Sequence, residues 1–306
     1  MAAASDAQVR AGRRTIRISS AGRAVFPADG ITKLDLARHY AAVGPLMVPL
    51  VRGRPLALEV RPKGIGGEGF FLKAVPGHFP EWIHTADVPK REGGTIRQAL
   101  GDDVATLVYL AGQNAVTPHV WTARADRLEQ PDRIVFDIDP ADDDFSFVRD
   151  TARRLGALLR DLGLGAFAMT TGSRGLHVVT PLRRGATYDE VHAFAHAVAT
   201  AMVRRDPGRL TVEFRKAERD GRLYLDIGRN SYGQHAVAPY AVRARDGAPV
   251  ATPLRWEELD DDALGPRRWD VRTIGARMEE AGDPWEGMAA TARAVGPAAR
   301  ALEDAG

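Results

Sequence analysis

Two aspartates near the middle of the chain are the first residues whose types and spacing could do chemistry. Residues 133–139, Arg-Ile-Val-Phe-Asp-Ile-Asp, alternate apolar and polar side chains as a β-strand does, and Pro140 ends the segment. Residues two apart on a strand point to the same face, so Asp137 and Asp139 lie together at its end. Carboxylates this close repel each other, and a cation between them would keep both ionised. The pair is therefore a candidate metal site. A solvated acidic turn is the alternative, because three more aspartates follow at 142–144.

A third carboxylate, Asp226, stands near the end of a second segment with strand periodicity. In residues 222–227 the side chains of Tyr224 and Asp226 share one face, and three aliphatic side chains share the other. A ferredoxin-like sheet would place this strand beside the one that carries Asp137 and Asp139. Three carboxylates around one point match hard divalent ions, and two such ions about 3.5–4 Å apart are the usual device for phosphoryl transfer. The alternative for Asp226 alone is an ion pair with Arg229 at a strand end.

A glycine-rich segment at residues 170–178, Thr-Thr-Gly-Ser-Arg-Gly-Leu-His-Val, could bind an anion. Its glycines allow backbone amides to turn towards a phosphate, and its hydroxyl and guanidinium groups add donors. The residues concerned are Thr171, Gly172, Ser173, Arg174 and Gly175, followed by His177 on the next strand. An ordinary tight turn and a core histidine are the alternatives. The expected position of this strand on the other side of the Asp137 strand favours the phosphate site.

Periodicity and capping residues predict the elements that position these side chains. The predicted strands are residues 15–18, 133–139, 166–170, 176–180 and 222–227. The predicted helices begin after Thr32, span residues 145–162, and run from Thr187 to about residue 204, with capping boxes at the first and third. From residue 133 onwards the order is β-α-β-β-α-β. This order is typical of a ferredoxin-like or RRM-like sheet packed on two helices, in which the first strand lies between the third and the fourth.

The segment before this core is less regular. Residues 52–92 are rich in glycine and proline, which predicts hairpins and loops. We therefore expect an α+β protein in which a ferredoxin/RRM-like catalytic core, at about residues 128–288, is merged with an N-terminal β-rich subdomain, at about residues 15–127. Together they would form a single domain over residues 15–288. Residues 1–14 are expected to be a flexible leader, and residues 289–306 a C-terminal tail.

Composition excludes several classes of site. The 306 residues contain no cysteine, which excludes disulfides, thiolate zinc sites and cysteine nucleophiles and leaves carboxylates and histidines as metal ligands. The chain has neither an apolar run long enough to cross a bilayer nor a secretory signal, so we expect a cytoplasmic protein with no membrane partner. The net charge is only +2, but arginines group at 10–23, 204–229 and 243–255 and acids at 137–144 and 260–262. A basic surface around an acidic pocket would suit an anionic partner.

Together these segments resemble one family. The Asp137 and Asp139 pair, the segment at 173–177 and the later Asp226 are similar in order and spacing to the three motifs of archaeo-eukaryotic primases. Further segments resemble the polymerase domain of the bacterial DNA ligase D of non-homologous end joining; they lie at residues 26–33, 53–55, 69–73, 131–137, 228–230, 237–245 and 282–285. The resemblance runs from about residue 15 to residue 288.

The resemblance implies a role for each matching position of the nucleotide site. Two divalent ions, Mg²⁺ or Mn²⁺, would be bound by Asp137, Asp139 and Asp226. A nucleoside triphosphate would be held by Arg174, His177 and Arg243. The pocket for its sugar would be lined by His119, Thr171 and Ser173.

The resemblance also implies contacts with DNA. Arg23 and Lys33 match two basic residues of the family that bind the 5′-phosphate on the far side of a gap. Phe70 and Phe71 match a pair that packs on the template strand, with burial in the core as the alternative. Arg219 and Arg229 would be additional contacts to phosphates or carboxylates. Arg23 and Arg174 both stand where lysine is common in the family.

These roles imply a template-dependent polymerase of DNA repair. It would add nucleotides, ribonucleotides preferred, to a primer 3′ end at short gaps or broken ends. The implied partners are gapped or end-resected DNA with a 5′-phosphate, nucleoside triphosphates, an ATP-dependent DNA ligase and Ku, and the implied location is the bacterial nucleoid. The Lys-x-Asp-Gly motif of a DNA ligase is absent from the sequence, so we expect a free-standing polymerase or one domain of a longer chain.

Two other functions remain open from the residues alone. Three carboxylates with two metal ions could equally serve a nuclease, although the residues of a nucleotide pocket argue against it. A non-catalytic nucleic-acid-binding module on an RRM-like sheet is the second alternative. Such a sheet usually exposes aromatic side chains to stack on bases, and here the corresponding strand offers Asp137 and Asp139 instead.

Overall fold

The computed structural model describes residues 5–305 of the chain. Its strands are β1 (Ala7–Ala11), β2 (Arg14–Ile18), β3 (Ala24–Phe26), β4 (Ile31–Thr32), β5 (Leu56–Val60), β6 (Phe70–Leu72), β7 (Thr85–Pro89), β8 (Thr95–Ala99), β9 (Ala115–Trp121), β10 (Arg133–Asp139), β11 (Phe167–Thr170), β12 (Leu176–Pro181), β13 (Leu210–Thr211), β14 (Leu223–Asp226), β15 (His235–Val237) and β16 (Pro253–Leu254). Its α-helices are α1 (Lys33–Val51), α2 (Val104–Gly112), α3 (Phe145–Asp161), α4 (Tyr188–Arg205), α5 (Ile274–Ala281) and α6 (Val295–Asp304). Short 3₁₀ helices span Ala125–Arg127, Lys216–Glu218, Gly228–Asn230, Trp256–Asp260 and Met288–Thr291.

The chain divides into two compact units, and neither unit is a continuous segment. The first joins the chain up to Trp121 with residues 237–252 and 269–282, and the second joins residues 122–236 and 253–268 with the chain from Asp283 onwards. The structure therefore differs from the predicted division into 15–127 and 128–288, because the chain returns twice to the first unit. Hydrogen bonds fix this return: the Val242 amide donates to the Tyr40 hydroxyl at 3.2 Å, and the Val250 amide donates to the Trp269 carbonyl at 2.9 Å.

The N-terminal residues form a hairpin where the sequence predicted a flexible leader. Strand β1 pairs antiparallel with β2, with Val9 opposite Ile16. Val9, Ala11, Ile16 and Ile18 are all buried. Burial of four apolar side chains on one face offsets the entropy lost on ordering the segment. The leader prediction is therefore wrong for residues 7–14, and residues 1–4 of that leader lie outside the described residues.

Helix α1 begins where the sequence predicted. The Thr32 hydroxyl accepts a hydrogen bond from the Asp35 amide at 3.2 Å, and the Asp35 carboxylate accepts one from the Thr32 amide at 2.9 Å. This capping box satisfies two amides that the helix itself leaves without partners. One face of the helix, with Leu36, Tyr40 and Met47, is buried and packs against α2.

In the first unit, strands β9, β5 and β6 are neighbours in one sheet, which carries the predicted aromatic pair. Strand β5 is antiparallel to both of its neighbours, with Glu59 opposite Phe71 of β6 and Thr117 of β9. Because β6 is an edge strand of this sheet, Phe70 and Phe71 stand where a partner strand could approach them.

The second unit is built on the sheet that the sequence predicted. Its order is β13-β14-β10-β12-β11-β16, so β10, the first strand of the β-α-β-β-α-β series, lies between the third, β12, and the fourth, β14. Strand β10 pairs antiparallel with both. Ile134, Phe136 and Ile138 of β10 are fully buried, which agrees with the alternation in the sequence. The predicted ferredoxin-like α+β core is confirmed.

Helices α3 and α4 cover this sheet. In α3, Val148, Ala152, Leu155 and Leu159 recur at helical spacing and are buried against β10 and β12. Helix α4 begins at a second capping box, formed by Thr187 with Glu190, and also contacts β10. Both helices lie within one or two residues of their predicted bounds.

The predicted C-terminal tail is ordered. Helix α6 packs against α4, and the Arg183 amide donates to the Arg293 carbonyl at 2.8 Å. Trp285, which ends the Gly-Asp-Pro-Trp segment, is buried, and its indole N–H donates to the Ala168 carbonyl at 2.9 Å. Among the helices of residues 5–305, none is long and apolar enough to span a membrane.

Candidate active site

Antiparallel pairing on both sides of β10 brings Asp137 together with two other predicted site residues. Asp137 lies directly opposite Asp226 of β14 and directly opposite His177 of β12. Residues directly opposite each other in a sheet present their side chains on the same face, within about 5 Å at their Cβ atoms. Asp139, two residues further along β10, lies opposite Tyr224. The sheet thus gathers all three predicted metal ligands and the predicted histidine on one face.

Arg229 lies between two of these carboxylates. It belongs to the 3₁₀ helix that follows β14 directly, and its Nη2 is 3.5 Å from Asp137 Oδ2 and 3.7 Å from Asp226 Oδ2. Separations of this length are too long for strong hydrogen bonds, so the attraction is mainly coulombic. The guanidinium therefore reduces the repulsion between the two acids.

A second arginine, Arg219, contacts the third carboxylate. Its Nη1 is 3.3 Å from Asp139 Oδ2, and its Nη2 and Nε donate to the carbonyls of Phe214 and Glu213 at 2.9 and 3.1 Å. The same guanidinium stacks over the ring of Tyr224 at 3.8 Å from its centroid. Arg219 thus fixes the loop at residues 213–219 beside Asp139. Both arginines predicted to contact DNA are, in this structure, partners of the acidic site.

Burial changes the protonation chemistry of two residues in the site. Burial raises the pKa of Asp139, the neighbouring charge of Asp137 raises it further, and Arg219 opposes the shift. Burial, followed by the charge of Asp226, raises the pKa of Tyr224 to about 12. Tyr224 is therefore a neutral donor at physiological pH, and its hydroxyl donates to Asp226 Oδ1 at 3.3 Å.

The acidic site has the donor chemistry that hard divalent ions require. Carboxylate oxygens of Asp137, Asp139 and Asp226 suit Mg²⁺ or Mn²⁺. Within residues 5–305, no three acidic or histidine side chains lie close enough together to form a complete metal cluster. The positive charge of Arg229 lies beside both Asp137 and Asp226, where a bound cation would lie. The residues fit a divalent ion, provided that Asp137 and Asp226 exchange their contacts with Arg229 for contacts with the metal.

A buried asparagine holds β10 and the end of β14 in register. The Asn230 side-chain oxygen accepts from the Val135 amide at 2.8 Å, and its Nδ2 donates to the carbonyls of Val135 and Ile227 at 2.8 and 2.9 Å. Asn230 is fully buried, so these bonds form in a low dielectric. Asn230 thereby fixes the strand that carries Asp137 to the segment that carries Arg229.

The glycine-rich segment forms a tight turn organised by Thr171. The Thr171 hydroxyl accepts from the amides of Ser173 and Gly175, both at 3.3 Å, and donates to the Gly175 carbonyl at 3.0 Å. Gly172 has a φ of 63°, which a glycine adopts without strain. At Gly175 a Cβ would collide with the backbone carbonyl of Ile138, so only glycine lets the turn approach β10 this closely. The turn therefore lies directly beside the acidic strand.

His177 and Arg174 both connect the region of the turn to β10, His177 beside Asp137 and Arg174 just beyond the end of the strand. His177 is buried, with 4% of its side chain exposed, and its Nε2 is 3.5 Å from Asp137 Oδ1. His177 is buried, as the alternative of a core histidine required, but it also faces the acidic site, which that alternative did not include. Arg174 Nη2 donates to the carbonyls of Pro140 and Asp142 at 3.2 and 3.4 Å, which ties the turn to the end of β10.

In the first unit, Lys33 is buried, which is unusual for a lysine. Only 4% of Lys33 is exposed, and its Nζ donates to the Ser19 carbonyl at 2.7 Å and to the Ser19 hydroxyl at 3.3 Å. Burial, and then the charge of Arg23, lowers the pKa of Lys33. The Arg23 guanidinium donates to the side-chain oxygen of Asn114. Two cations held close together in this way would be stabilised by an anion.

The other predicted residues of the first unit have distinct environments. Phe70 and Phe71 are 52% and 56% exposed, which contradicts the alternative that they are buried core residues. The Phe71 ring meets the His119 ring edge-on, with 5.3 Å between centroids. Arg243 lies in the returning segment at 237–252, where its amide donates to the Pro249 carbonyl at 2.8 Å.

Comparison with known proteins decides the family. The model of the LigD primase-polymerase domain matches residues 32–285, which is most of the chain. The chain belongs to the LigD primase-polymerase domain family. This family comprises nucleotidyltransferases, and the predicted resemblance is confirmed.

Relatives and a solved structure agree with this assignment. The multifunctional non-homologous end joining protein LigD of Pseudomonas aeruginosa is 36% identical over 306 residues, covering 97% of this chain and 36% of the relative. The protein of the same name from Mycolicibacterium smegmatis is 30% identical over 271 residues, covering 88% of this chain and 35% of the relative. The chain thus spans about a third of the length of these curated relatives. The solved polymerase domain of Mycobacterium tuberculosis ligase D in complex with DNA has a TM-score of 0.84 and 31% identity, covering 90% of this chain and 99% of that one.

Two residues beside the acidic site were missed by the sequence analysis. Phe214 is 77% exposed in the loop that Arg219 fixes beside Asp139. The sequence offered one signal for the exposure of Phe214: it stands between Glu213 and Arg215, and a charged segment rarely enters a core. Arg267 donates to the Ser173 carbonyl at 2.9 Å, and nothing in sequence spacing links positions 94 residues apart.

Proposed function

We propose that this chain is a template-dependent polymerase that adds nucleotides to a primer 3′ end at short gaps or broken DNA ends. One observation carries the proposal: Asp137 is directly opposite Asp226 and His177, beside a glycine turn suited to phosphate. A carboxylate cluster beside an anion site is the arrangement that nucleotidyl transfer requires. Family membership supports the same reading.

In the proposed mechanism Asp137, Asp139 and Asp226 hold two divalent ions, Mg²⁺ or Mn²⁺. Such ions supply Lewis acidity at the primer hydroxyl and offset the charge of the pyrophosphate leaving group. Arg174, the turn amides and His177 bind and orient the triphosphate, so that its α-phosphate faces the primer end. Arg219 and Arg229 lie beside the carboxylates and reduce their mutual repulsion until metal is bound. Base choice comes from pairing with the template, so protein contacts go mainly to phosphates and sugars.

Ribonucleotide preference is part of the proposal. Ser173 places a hydroxyl group in the turn, where a ribose 2′-hydroxyl could exchange hydrogen bonds with it. The Thr171 hydroxyl already makes three hydrogen bonds inside the turn, so the proposed contact of Thr171 with the sugar rests on the family resemblance. A site built to bond a hydroxyl rejects the analogue that lacks it, because its own polar groups are left without partners. For His119 and Arg243 of the first unit, the proposed contacts with the nucleotide sugar and the triphosphate rest on the family resemblance alone.

The proposed DNA contacts lie in the first unit. Lys33 and Arg23 would bind the 5′-phosphate across a gap, a role that the burial of Lys33 beside Arg23 supports. Phe70 and Phe71 would stack on template bases, which their exposure supports. The proposed wider partners are an ATP-dependent DNA ligase and Ku, and the proposed location is the cytoplasm at the nucleoid. These follow from the end-joining role named for the relatives.

The test is extension of a labelled primer on a gapped duplex with a 5′-phosphate, supplied separately with each ribonucleotide and deoxynucleotide in Mg²⁺ and in Mn²⁺. We expect incorporation that follows the template base, with lower KM for ribonucleotides. Primer shortening in the absence of nucleotides would favour a nuclease. Tight DNA binding without any metal-dependent incorporation would favour a binding module, and either result would overturn the proposal.

A further inference from the structure

A loop of the second unit, residues 263–268, contacts the proposed nucleotide turn. The Arg267 side chain donates from Nε to the Ser173 carbonyl at 2.9 Å. Together the loop, the turn and the segment after β10 line an open pocket of about 520 Å³. Its lining includes three basic residues, Arg174, Arg267 and Arg268, and two acidic residues, Asp142 and Asp143. The turn therefore has a second wall, in addition to β10, that no motif of the sequence indicated.

The Arg267 bond determines the orientation of one peptide group. The peptide between Ser173 and Arg174 is trans, so its carbonyl and its N–H point in opposite directions. Arg267 holds the carbonyl on the side of the 263–268 loop. The Arg174 N–H consequently points in the opposite direction, away from the Ser173 carbonyl and its Arg267 partner.

That N–H is one of the amides that the turn leaves open. The Thr171 hydroxyl accepts from the amides of Ser173 and Gly175. The amides of Gly172 and Arg174 have no hydrogen-bond partner among residues 5–305. The turn thus uses the amides of Ser173 and Gly175 internally. The amides of Gly172 and Arg174 remain to bind an anion, as in a backbone nest.

We infer that Arg267 is a positioning residue for the polyphosphate of the incoming nucleotide. It acts through Ser173, by holding the peptide whose N–H belongs to Arg174, and it need not touch the nucleotide itself. The inference rests on the proposed function for the identity of the anion. The hydrogen bond to Ser173 is independent of that function.

Two variants of the same length separate the hydrogen bond from the charge. Arg267→Gln keeps a neutral donor within reach of the Ser173 carbonyl, whereas Arg267→Met keeps only the chain length. Arg268→Met removes the same charge from the same loop and the same cavity, and serves as the control. A purely electrostatic role predicts equal effects for all three, because each loses one positive charge.

The first measurement is steady-state primer extension with varied nucleotide. For Arg267→Met we expect KM for the nucleotide to rise about tenfold, the effect of losing one charge-assisted hydrogen bond, with kcat within about threefold of wild type. Arg267→Gln should recover most of the loss, and Arg268→Met should remain close to wild type. An unchanged KM in Arg267→Met, or equal effects of the Gln, Met and Arg268 variants, would overturn the inference.

The second measurement is hydrogen exchange of the Ser173 and Gly175 amides in the free protein. Arg267→Met should speed exchange at this turn, and Arg268→Met should not. Unchanged exchange would show that Arg267 does not hold the turn, whatever the activity. If wild type neither extends a primer nor binds ATP while exchange responds as expected, the proposed function and the assignment of the anion both fail, and only the role of Arg267 in holding the turn remains.

Discussion

Asp137 and Asp226 face each other across paired strands, and one guanidinium, that of Arg229, reaches toward both. Two carboxylates on opposite residues would repel each other without a cation. Arg229 therefore offsets this repulsion in a metal-free state. Asn230, the next residue, ties the 3₁₀ helix of Arg229 to β10. Metal binding and the Arg229 ion pairs should compete for the same oxygens.

The first prediction concerns this competition. Arg229→Met removes the cation between Asp137 and Asp226, so the variant should melt at a lower temperature than wild type in the absence of divalent ions. Added Mn²⁺ should raise the melting temperature of the variant by more than that of wild type, because metal then relieves a larger repulsion. Thermal melts with and without Mn²⁺ give the comparison, and Arg204→Met, at an exposed position of α4, is the control. An equal response of Arg229→Met and wild type to Mn²⁺ would show that Arg229 does not stand in for metal.

The second prediction concerns pH and stability. His39 is fully buried, its Nε2 is 2.9 Å from the Tyr240 carbonyl, and burial lowers its pKa from 6.5 to about 4. As the pH falls below 6.5, His39 is protonated in the unfolded state before it is protonated in the folded state. Its contribution to the free energy of unfolding is therefore lost between pH 6.5 and 4 and changes little at lower pH. The loss from this histidine should reach about 3 kcal/mol by pH 4.

Urea unfolding at pH 7 and at pH 4 measures this loss. His39→Gln can still donate to the Tyr240 carbonyl and does not titrate, so its free energy of unfolding should fall less than that of wild type over the same range. His192→Gln, at a partly exposed position of α4, is the control and should behave as wild type. Parallel losses in wild type and His39→Gln would contradict the assignment of the acid sensitivity to His39.

The third prediction separates function from stability at Lys33. Because burial and Arg23 disfavour its charged form, Lys33→Met should keep or raise the melting temperature. The same variant should lose most of the preference of the protein for a gap with a 5′-phosphate over a gap with a 5′-hydroxyl. Binding to the hydroxyl gap should change little, and raised salt should shrink the difference in wild type. Equal binding of both gap types by wild type would remove the proposed phosphate site.

The fourth prediction concerns the exposed aromatic pair. Phe70→Ala and Phe71→Ala should each change the free energy of unfolding by less than about 1 kcal/mol, because half of each side chain is already exposed. Each should weaken binding to a single-stranded template by about 1–3 kcal/mol, the usual worth of one stacked base. Fluorescence anisotropy with a labelled template gives the affinity. A large loss of stability with unchanged template affinity would return the pair to a core role.

The second unit could be predicted well from sequence because its signals are local. Alternation in residues 133–139 and the capping box at Thr187 each determine structure within a few residues. The order β-α-β-β-α-β then limits the sheet to few topologies, which places the strand of Asp226 beside that of Asp137. The sequence alone therefore indicates the three carboxylates.

The parts that sequence could not predict depend on contacts between distant positions. Val9 and Ala11 alone are too weak a pattern to indicate a strand, and β2 supplies the pairing that orders them. The burial of Lys33 depends on Ser19, and the contacts of Arg219 with Asp139 and of Arg229 with Asp137 join positions far apart in the chain. Such long-range ion pairs leave no periodic trace in the sequence, whereas the pair of Arg229 with Asp226, three residues apart, agrees with the alternative stated for that acid. Arg267 is the extreme case, since its partner Ser173 lies 94 residues away.

Single-nucleotide incorporation into a gapped duplex by Asp137→Asn and Asp139→Asn tests the central claim most directly. The wild type should extend the primer in Mn²⁺, and each variant should lose at least about a thousandfold in kcat while unfolding and gap binding stay near wild type, since the lost charge acts chiefly in the transition state. Asp143→Asn, an exposed acid just after the same strand, is the matched control and should retain activity. Extension by Asp137→Asn or Asp139→Asn within about tenfold of wild type would contradict a metal-dependent polymerase built on these carboxylates.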